Sequence, residues 1–234
     1  MLGFRELEDS ALYAGFGIQL IDDFESVAAQ GSEVAPIGWT KIELAIDEGG
    51  GVFRTIDPPY QVVRGANGVL WFPYLERYAD ARGRAPRTYR VRVSAQFYVP
   101  SYTYTADGVD LQVAPYDPVN PPAFVPTLPT KIHLLPTAMY PYPAAVPVLR
   151  GSIIDTSNAP VVAAQVSWID GTLQTDTVLT DADGEFSLPM RRAPRDTPID
   201  IHAERPPPPA GGRSGDTIVR IPQDLSTFHT IQIS

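Results

Sequence analysis

The carboxylates at the turn after Thr180 have the clearest spacing for chemistry. Asp181, Asp183 and Glu185 alternate around Gly184. Calcium takes about six to eight oxygen ligands, and an EF-hand loop carries a longer ligand series that ends in a bidentate acid. Three carboxylates fall short of that set. The spacing therefore favours a tight turn, in which Asp-Gly supplies a positive φ, and predicts no metal site.

The residues that serve as bases and nucleophiles are scattered. His133, His202 and His229 lie on predicted strands without an H-E-x-x-H motif or helical spacing. The chain has no cysteine and no G-x-S-x-G elbow, and Gly49–Gly51 is not followed by the Lys-Ser/Thr of a phosphate loop. The sequence predicts surface histidines, no catalytic residue and no cofactor.

Arginines are concentrated between residues 77 and 92. The cluster consists of Arg77, Arg82, Arg84, Arg87, Arg90 and Arg92. A solvated loop and strand face, balanced by Glu76 and Asp80, explains it, and the alternatives are an acidic protein surface or nucleic acid. Because the net charge is −9, bulk attraction to nucleic acid or to an anionic membrane is not expected. The first four arginines are candidate interface residues.

Aromatic residues flank a proline-rich stretch. They are Tyr98, Tyr102, Tyr104, Tyr116, Phe124, Tyr140 and Tyr142. Sugar rings stack on such side chains, and tyrosine is also common at protein interfaces. The third interpretation is a layer of tyrosine and proline that covers one edge of a sandwich. Tyr98, Tyr102, Tyr104, Tyr140 and Tyr142 are therefore candidate interface residues.

The first 17 residues have the pattern of a short arm. A weak helical stripe is formed by Phe4, Leu7, Leu12 and Tyr13, with acidic residues on the other side. We expect this arm to pack on its own domain or to dock on a neighbouring subunit. The acidic residues rule out an export signal here, and no run reaches the roughly 18 apolar residues of a membrane span. Assembly in the cytoplasm is expected.

Alternating hydrophobicity predicts an all-β protein. Strands are expected at 18–20, 42–46, 89–95 and 109–113. Seven more are expected near 148–154, 163–169, 175–180, 184–188, 198–203, 217–221 and 228–233. Ten prolines lie within 114–147, together with apolar residues that a free linker lacks. The predicted organisation is an arm at 1–17, a β-sandwich at 18–113, a packed connector with a strand at 131–135 within 114–147, and a second sandwich at 148–234.

Four short patterns recur in the same order in both predicted sandwiches. Asn67-Gly68-Val-Leu-Trp-Phe-Pro73 matches Asp183-Gly184-Glu-Phe-Ser-Leu-Pro189, and Val91–Ala95 matches Ile199–Ala203. A tight turn followed by two inward side chains and a neighbouring strand explains the unit. The order predicts tandem antiparallel sandwiches of transthyretin or immunoglobulin type.

The C-terminal sandwich resembles the carboxypeptidase regulatory-like domain, a transthyretin-like fold. The resemblance is carried by Gly151-Ser-Ile-Ile-Asp155, Ala159-Pro160-Val161, Thr180–Phe186 and Ile199–Ala203. The N-terminal unit is a degenerate copy, with Gly65-Ala-Asn67-Gly68 in place of Thr-Asp-x-Asp-Gly. The resemblance implies a structural or interaction module and no catalytic residues. Transthyretin-like folds also include iron dioxygenases, but this chain shows no Tyr/His cluster with their spacing.

Together these features predict a non-enzymatic subunit of a large assembly, such as a bacteriophage tail or a phage-tail-like contractile injection particle. The expected partners are other subunits of that particle, without nucleic acid or membrane insertion. Such particles are assembled in the cytoplasm and act outside, which reconciles adhesion-type modules with a leaderless start. The alternative is a cell-surface or secreted module that binds carbohydrate or protein.

Overall fold

The computed structural model describes residues 16–28, 32–56, 62–65, 68–72, 75, 86–113, 128–170, 173–205 and 212–234. Its regular elements are nearly all strands, which confirms the predicted all-β class. In chain order they are β1 (Gly17–Asp22), α1 (Asp23–Ala28), β2 (Thr40–Asp47), β3 (Phe53–Thr55), β4 (Val63–Arg64), β5 (Leu70–Trp71), β6 (Arg87–Ala95), β7 (Tyr98–Pro100), β8 (Val109–Val113), β9 (Thr130–Pro136), β10 (Val148–Asp155), β11 (Gln165–Asp170), β12 (Leu173–Leu179), β13 (Glu185–Pro189), β14 (Pro198–Arg205), β15 (Arg213–Arg220) and β16 (Phe228–Ile233).

The described residues form two compact units. Unit 1 takes those within 1–21, 40–93 and 107–132, and unit 2 takes those within 22–39, 94–106 and 133–234. The segments 22–39 and 94–106 therefore pack with the C-terminal part of the chain, although they lie inside the stretch predicted as the first sandwich. The units do not follow the predicted boundaries at 17, 113 and 147, because these segments find their packing partners far along the sequence.

Unit 1 contains a four-stranded sheet in the order β3-β2-β6-β8. In β6 the side chains of Tyr89, Val91 and Val93 are buried, whereas Arg90 and Arg92 lie on the opposite face. This alternation is the one that the sequence predicts. A second group pairs β4 with β5 and β5 with β1 in antiparallel fashion.

Unit 2 contains two facing groups of strands, in the orders β13-β10-β16 and β12-β11-β14-β15. All seven strands predicted beyond residue 147 are present. The pairing is antiparallel except between β10 and β16, which run parallel. Strand β15 begins at Arg213, earlier than the predicted start near residue 217. Position 215 of this strand has room only for glycine, because a Cβ there would lie 2.2 Å from the carbonyl oxygen of Gln232.

The core of unit 2 lies between these two groups. Trp168, Phe186, Leu149 and Ile201 are fully buried there. Phe186 and Leu188 both point inward from β13, as the repeat pattern after the Asp183-Gly184 turn predicts. Burial of each such side chain contributes about 1.5–3 kcal/mol relative to exposure.

The predicted strand at 131–135 is also present, as β9. In unit 2 its C-terminal part pairs with β7, with Tyr98 opposite Pro136 and Pro100 opposite Leu134. This pairing places Tyr98 beside the start of the segment that leads to β10.

Candidate functional site

A buried carboxylate lies at the centre of a hydrogen-bonded site in unit 2. Asp22 is fully buried, and its Oδ2 accepts hydrogen bonds from the hydroxyls of Tyr98 (2.7 Å) and Tyr140 (2.9 Å). Its Oδ1 accepts from the backbone N–H of Glu25 (3.0 Å), in the first turn of α1. We call Asp22, Tyr98 and Tyr140 the Asp22 clamp. Its donors meet the requirement that a buried carboxylate be hydrogen-bonded.

The two clamp tyrosines are held in their protonated form. Burial raises the pKa of both phenols well above the ordinary value, and the nearby Asp22 carboxylate raises it further. The Tyr98 hydroxyl also accepts a hydrogen bond from the N–H of Ile37 (3.0 Å). At neutral pH each hydroxyl is therefore a fixed donor, and neither is a base or a nucleophile.

Phe24 joins the clamp to a cluster of rings. Its ring centroid lies 5.4 Å from that of Tyr140 and 5.0 Å from that of Tyr142, with edge-on geometry in both cases. Tyr98 and Tyr140 are also edge-on, at 5.4 Å. Such pairs are worth about 0.5–1.5 kcal/mol beyond the area that they bury. The cluster therefore fixes the start of α1 inside unit 2.

An ion pair fixes the other side of Phe24. The Arg191 guanidinium bonds to Oδ1 of Asp176 through Nε (3.1 Å) and through Nη2. Its Nη1 donates to the Phe24 carbonyl (2.9 Å), and its Cζ lies 4.2 Å from the centre of the Phe24 ring. The side chains of Arg191 and Asp176 are only 16% and 10% exposed. This largely buried pair has a structural role, because both charges are neutralised inside the unit.

A small cavity adjoins this ion pair. Its volume is about 70 Å³, and Thr177, Pro136 and Pro189 form part of its wall. One water needs about 10–15 Å³ of such space, so the cavity has room for a few ordered waters beside the ion pair.

The proline-rich connector packs along the edge strand β13. The Tyr142 hydroxyl donates to the Ser187 carbonyl (2.9 Å), and the Ser187 hydroxyl donates to the Ala138 carbonyl (3.0 Å). Beyond the strand, the Met190 N–H donates to the Pro147 carbonyl (2.8 Å). The part of the connector at 138–147 therefore covers a sheet edge that would otherwise be open to pairing.

The Asp181 motif forms a turn, as predicted. Oδ1 of Asp181 accepts from the N–H groups of Asp183 (3.0 Å) and Glu185 (2.9 Å). Gly184 has a φ of +75°, which glycine adopts without strain. The same kind of loop occurs at Asp155, whose Oδ1 accepts from Ser157 and Ala159; these hydrogen bonds hold the pKa of that carboxyl below its usual value.

Two of the three histidines, His133 and His202, pair with carboxylates, whereas Nε2 of His229 lies 3.0 Å from the carbonyl oxygen of Asp224. Nδ1 of His133 lies 2.7 Å from Oδ1 of Asp23. Nδ1 of His202 lies 2.6 Å from Oδ1 of Asp216, and its Nε2 lies 3.7 Å from Glu204.

Burial, and to a smaller extent a hydrogen bond to Glu204, raises the pKa of Tyr104 to about 12. Among the described residues, no three His, Cys, Asp or Glu side chains are grouped so as to hold a metal ion.

The described arginines of β6 form a network within unit 1. Arg90 donates to Asp110 through Nε (2.6 Å) and to Asp107 through Nη1 (2.7 Å), and Arg92 also donates to Asp107 (2.8 Å). The Arg90 guanidinium lies 3.8 Å from the centre of the Phe53 ring. These contacts hold the pKa of Asp107 below its usual value, chiefly through the Arg92 hydrogen bond.

The structure places only part of the predicted interface set. Tyr102, Tyr104 and Tyr142 are half-buried, and so is Arg87, whose backbone pairs with Val113 at the start of β6. Tyr98 and Tyr140 need a correction: both are buried, because their hydroxyls serve Asp22 and their rings pack on each other. The remaining candidates, and two aromatic residues of the connector, lie outside the described residues: Phe4, Leu7, Leu12, Tyr13, Arg77, Arg82, Arg84, Tyr116 and Phe124.

Sequence reasoning missed Asp22 as the partner of the two tyrosines. The available signal was a pair of acids, Asp22-Asp23, directly after an apolar strand. In the described ranges, no helix is long and apolar enough to cross a membrane.

Comparison with known proteins assigns no family to the chain. No family model matches it, and no curated protein matches it. Among solved structures it is similar to the Bacillus anthracis TIE protein, with 11% identity, a TM-score of 0.28, and coverage of 93% of this chain and 33% of that chain. This chain spans about a third of that protein. A TM-score this low supports no functional argument, and the carboxypeptidase regulatory-like resemblance stays a prediction.

Proposed function

We propose that this chain is a non-enzymatic structural subunit of a large assembly, and that the assembly is a bacteriophage tail or a phage-tail-like contractile injection particle. The observation that carries the proposal is the Asp22 clamp. A carboxylate that binds a substrate or a metal directly must be accessible to it. Asp22 is instead buried, with two tyrosine hydroxyls and one backbone N–H as its hydrogen-bond donors.

Other polar groups with suggestive chemistry also have structural partners. Arg191 and Asp176 neutralise each other beside Phe24. Asp181 accepts from the backbone of its own turn. These uses of charge favour a rigid building block over a catalyst, and the link to a particle rests on analogy with other β-sandwich subunits.

The carbohydrate-binding alternative requires an exposed set of aromatic faces. Tyr98 and Tyr140 do not provide such faces, because both rings are inside unit 2. Among the candidate tyrosines that the structure describes, the half-buried Tyr102, Tyr104 and Tyr142 remain, and Tyr142 packs against Phe24 and Tyr140. This arrangement favours the tyrosine and proline layer over a sugar platform.

The proposal is tested by sedimentation of native lysate from the source organism, with mass spectrometry of the fast particle fraction. We expect the chain to co-sediment with sheath, tube or baseplate proteins at a fixed stoichiometry. Deletion of the gene should remove or alter the particle, and a plasmid copy should restore it. Recovery of the chain only in the slow fraction, with intact particles in the deletion strain, would contradict the proposal.

A further inference from the structure

Strand β15 is an edge strand with outward-facing backbone groups. It pairs with β14 in unbroken register from Arg213 to Arg220. The Ser214 carbonyl accepts from Ser234 (3.3 Å), and the Arg220 N–H donates to Oδ2 of Asp224 (2.7 Å). Since hydrogen-bonding direction alternates along an antiparallel strand, the backbone groups of Asp216 and Ile218 also face away from β14. Within the described ranges, no strand is registered with them.

Two of the edge strands of unit 2, β13 and β15, differ in what covers them. The connector covers β13 through Tyr142 and Ser187, as expected for an edge protected against unwanted pairing. In the middle of β15, Ile218 is instead 65% exposed. The open part of this edge, at Asp216 and Ile218, carries an exposed β-branched residue and is a template for pairing with another strand.

The side chains on the exposed face of β15 are complementary to themselves. Asp216, Ile218 and Arg220 are all exposed and alternate along one face. In an antiparallel pair of two β15 strands with Ile218 opposite Ile218, Asp216 of each copy lies opposite Arg220 of the other. A register centred on Asp216 would instead place Asp216 opposite Asp216, which is repulsive. Opposite charges stabilise directly facing positions, and like charges destabilise them.

From this pattern we propose that β15 is a self-association surface whose partner is β15 of a second copy of this chain. The two strands are antiparallel and have Ile218 on the two-fold axis. The interface is isologous, so each charge pair occurs twice. This inference rests on the proposed assembly role for its biological setting, but its chemistry is tested on the purified chain alone.

The test uses sedimentation equilibrium of the purified 234-residue chain over a concentration series. We expect the wild-type chain to form a concentration-dependent dimer. R220D places like charges opposite each other twice and should weaken the dimer by about tenfold or more. The matched control is R150D, which changes the net charge equally at an exposed position on β10 and should leave the dimer unchanged.

A charge exchange tests the register itself. D216R should also weaken self-association, but it removes the contact between Asp216 and His202 as well. R220D keeps that contact, so equal weakening by the two variants shows that the charge pairing is the cause. An equimolar mixture of D216R and R220D chains should form heterodimers, because every facing pair is then opposite in charge. The double variant D216R/R220D should recover the homodimer. Circular dichroism and thermal midpoints verify that each variant is folded.

Three results would overturn the inference. They are a wild-type chain that stays monomeric throughout the series, an R220D variant that dimerises as well as R150D, and single variants that do not form a heterodimer. None of them bears on co-sedimentation with a particle. Failure of the self-association surface is therefore distinguishable from failure of the proposed function.

Discussion

The hydroxyl of Tyr140 donates to Oδ2 of Asp22 at 2.9 Å, although the two residues are 118 positions apart in sequence. Tyr98 donates to the same oxygen atom. The carboxylate thus connects three separate segments of unit 2: the start of α1, the strand β7 and the connector after β9. The closure of this unit depends on one buried charge.

Removal of a clamp hydroxyl should destabilise unit 2. Tyr140→Phe and Tyr98→Phe each delete a hydrogen bond to a buried charge, and we expect each to lower the free energy of unfolding by about 1.5–3 kcal/mol. Tyr142→Phe is the matched control, because its hydroxyl donates to a neutral carbonyl and its loss should cost about 1 kcal/mol. Urea denaturation measures all three. Equal losses in the three variants would contradict a special role for Asp22.

High pH should weaken the fold through the same tyrosines. Burial raises the pKa of Tyr98 and Tyr140 above the ordinary value of 10.0. Above about pH 10 the unfolded chain loses phenolic protons that the folded chain keeps, so the free energy of unfolding falls as the pH rises. Below that pH the contribution of the two protonated tyrosines is fully present. Urea unfolding at stepped pH, with absorbance of ionised tyrosine near 295 nm, measures this. A Y98F/Y140F variant should show a shallower loss, and an equally steep one would refute the assignment.

Arg191→Met should leave the Asp176 carboxylate without its counter-charge. Because the pair is largely buried, we expect a loss of about 3 kcal/mol. Arg192→Met is the control, since the side chain of Arg192 is next in sequence and is exposed. Addition of Asp176→Asn to Arg191→Met should recover part of the loss, and a double-mutant cycle by chemical denaturation gives the coupling energy. Strict additivity of the two single changes would argue against the pair.

Gly151→Ala should disrupt the centre of the β13-β10-β16 sheet. A Cβ at this position would lie 2.3 Å from the carbonyl oxygen of His229 and 2.7 Å from the Phe186 ring. We expect a loss of about 1–3 kcal/mol or more from overpacking, measured by thermal and urea unfolding. Ser152→Ala, one residue further along β10, should have little effect. Tolerance of alanine at Gly151 would show that these strands separate at little cost.

The Asp181 turn should depend on one carboxylate and on no metal. Asp181→Ala removes the acceptor for two backbone N–H groups, and each is worth about 1 kcal/mol. Asp183→Ala changes an exposed side chain and serves as the control. Calcium and a chelator should leave the thermal midpoint of the wild-type chain unchanged. A rise in the thermal midpoint with calcium would contradict this prediction and indicate a metal site at the turn.

Local patterns predicted most of the strands. Strict alternation identified β6 with its buried Tyr89 and with Arg90 on the opposite face, and the Asp-Gly turn identified β13. These features depend on neighbours within a few residues, where side-chain direction follows from the period of the strand. Gly151 entered the sequence analysis as part of a motif. The structure supplies its physical reason, which is the approach of the β16 backbone.

The site was predictable only in part, because it depends on distant partners. A tyrosine has the same local pattern on an interface and in a core, and burial of Tyr98 and Tyr140 follows from a carboxylate in another segment. Likewise, segment 22–39 follows a strand of unit 1 but packs in unit 2. The parallel run of β16 beside β10 also carries no local signal, since strand direction is set by topology and not by composition.

The parallel pair β10–β16 bears on how unit 2 responds to mechanical force. Its six register pairs run from Arg150 and Phe228 to Asp155 and Ile233. In a parallel pair the start of one strand and the end of the other lie at opposite ends. Tension applied at the start of β10 and the end of β16 therefore loads all the bonds between them in shear at once, whereas a hairpin pulled apart at one end breaks them one at a time. We expect unit 2 to resist extension along this axis more strongly than its thermal stability alone would indicate.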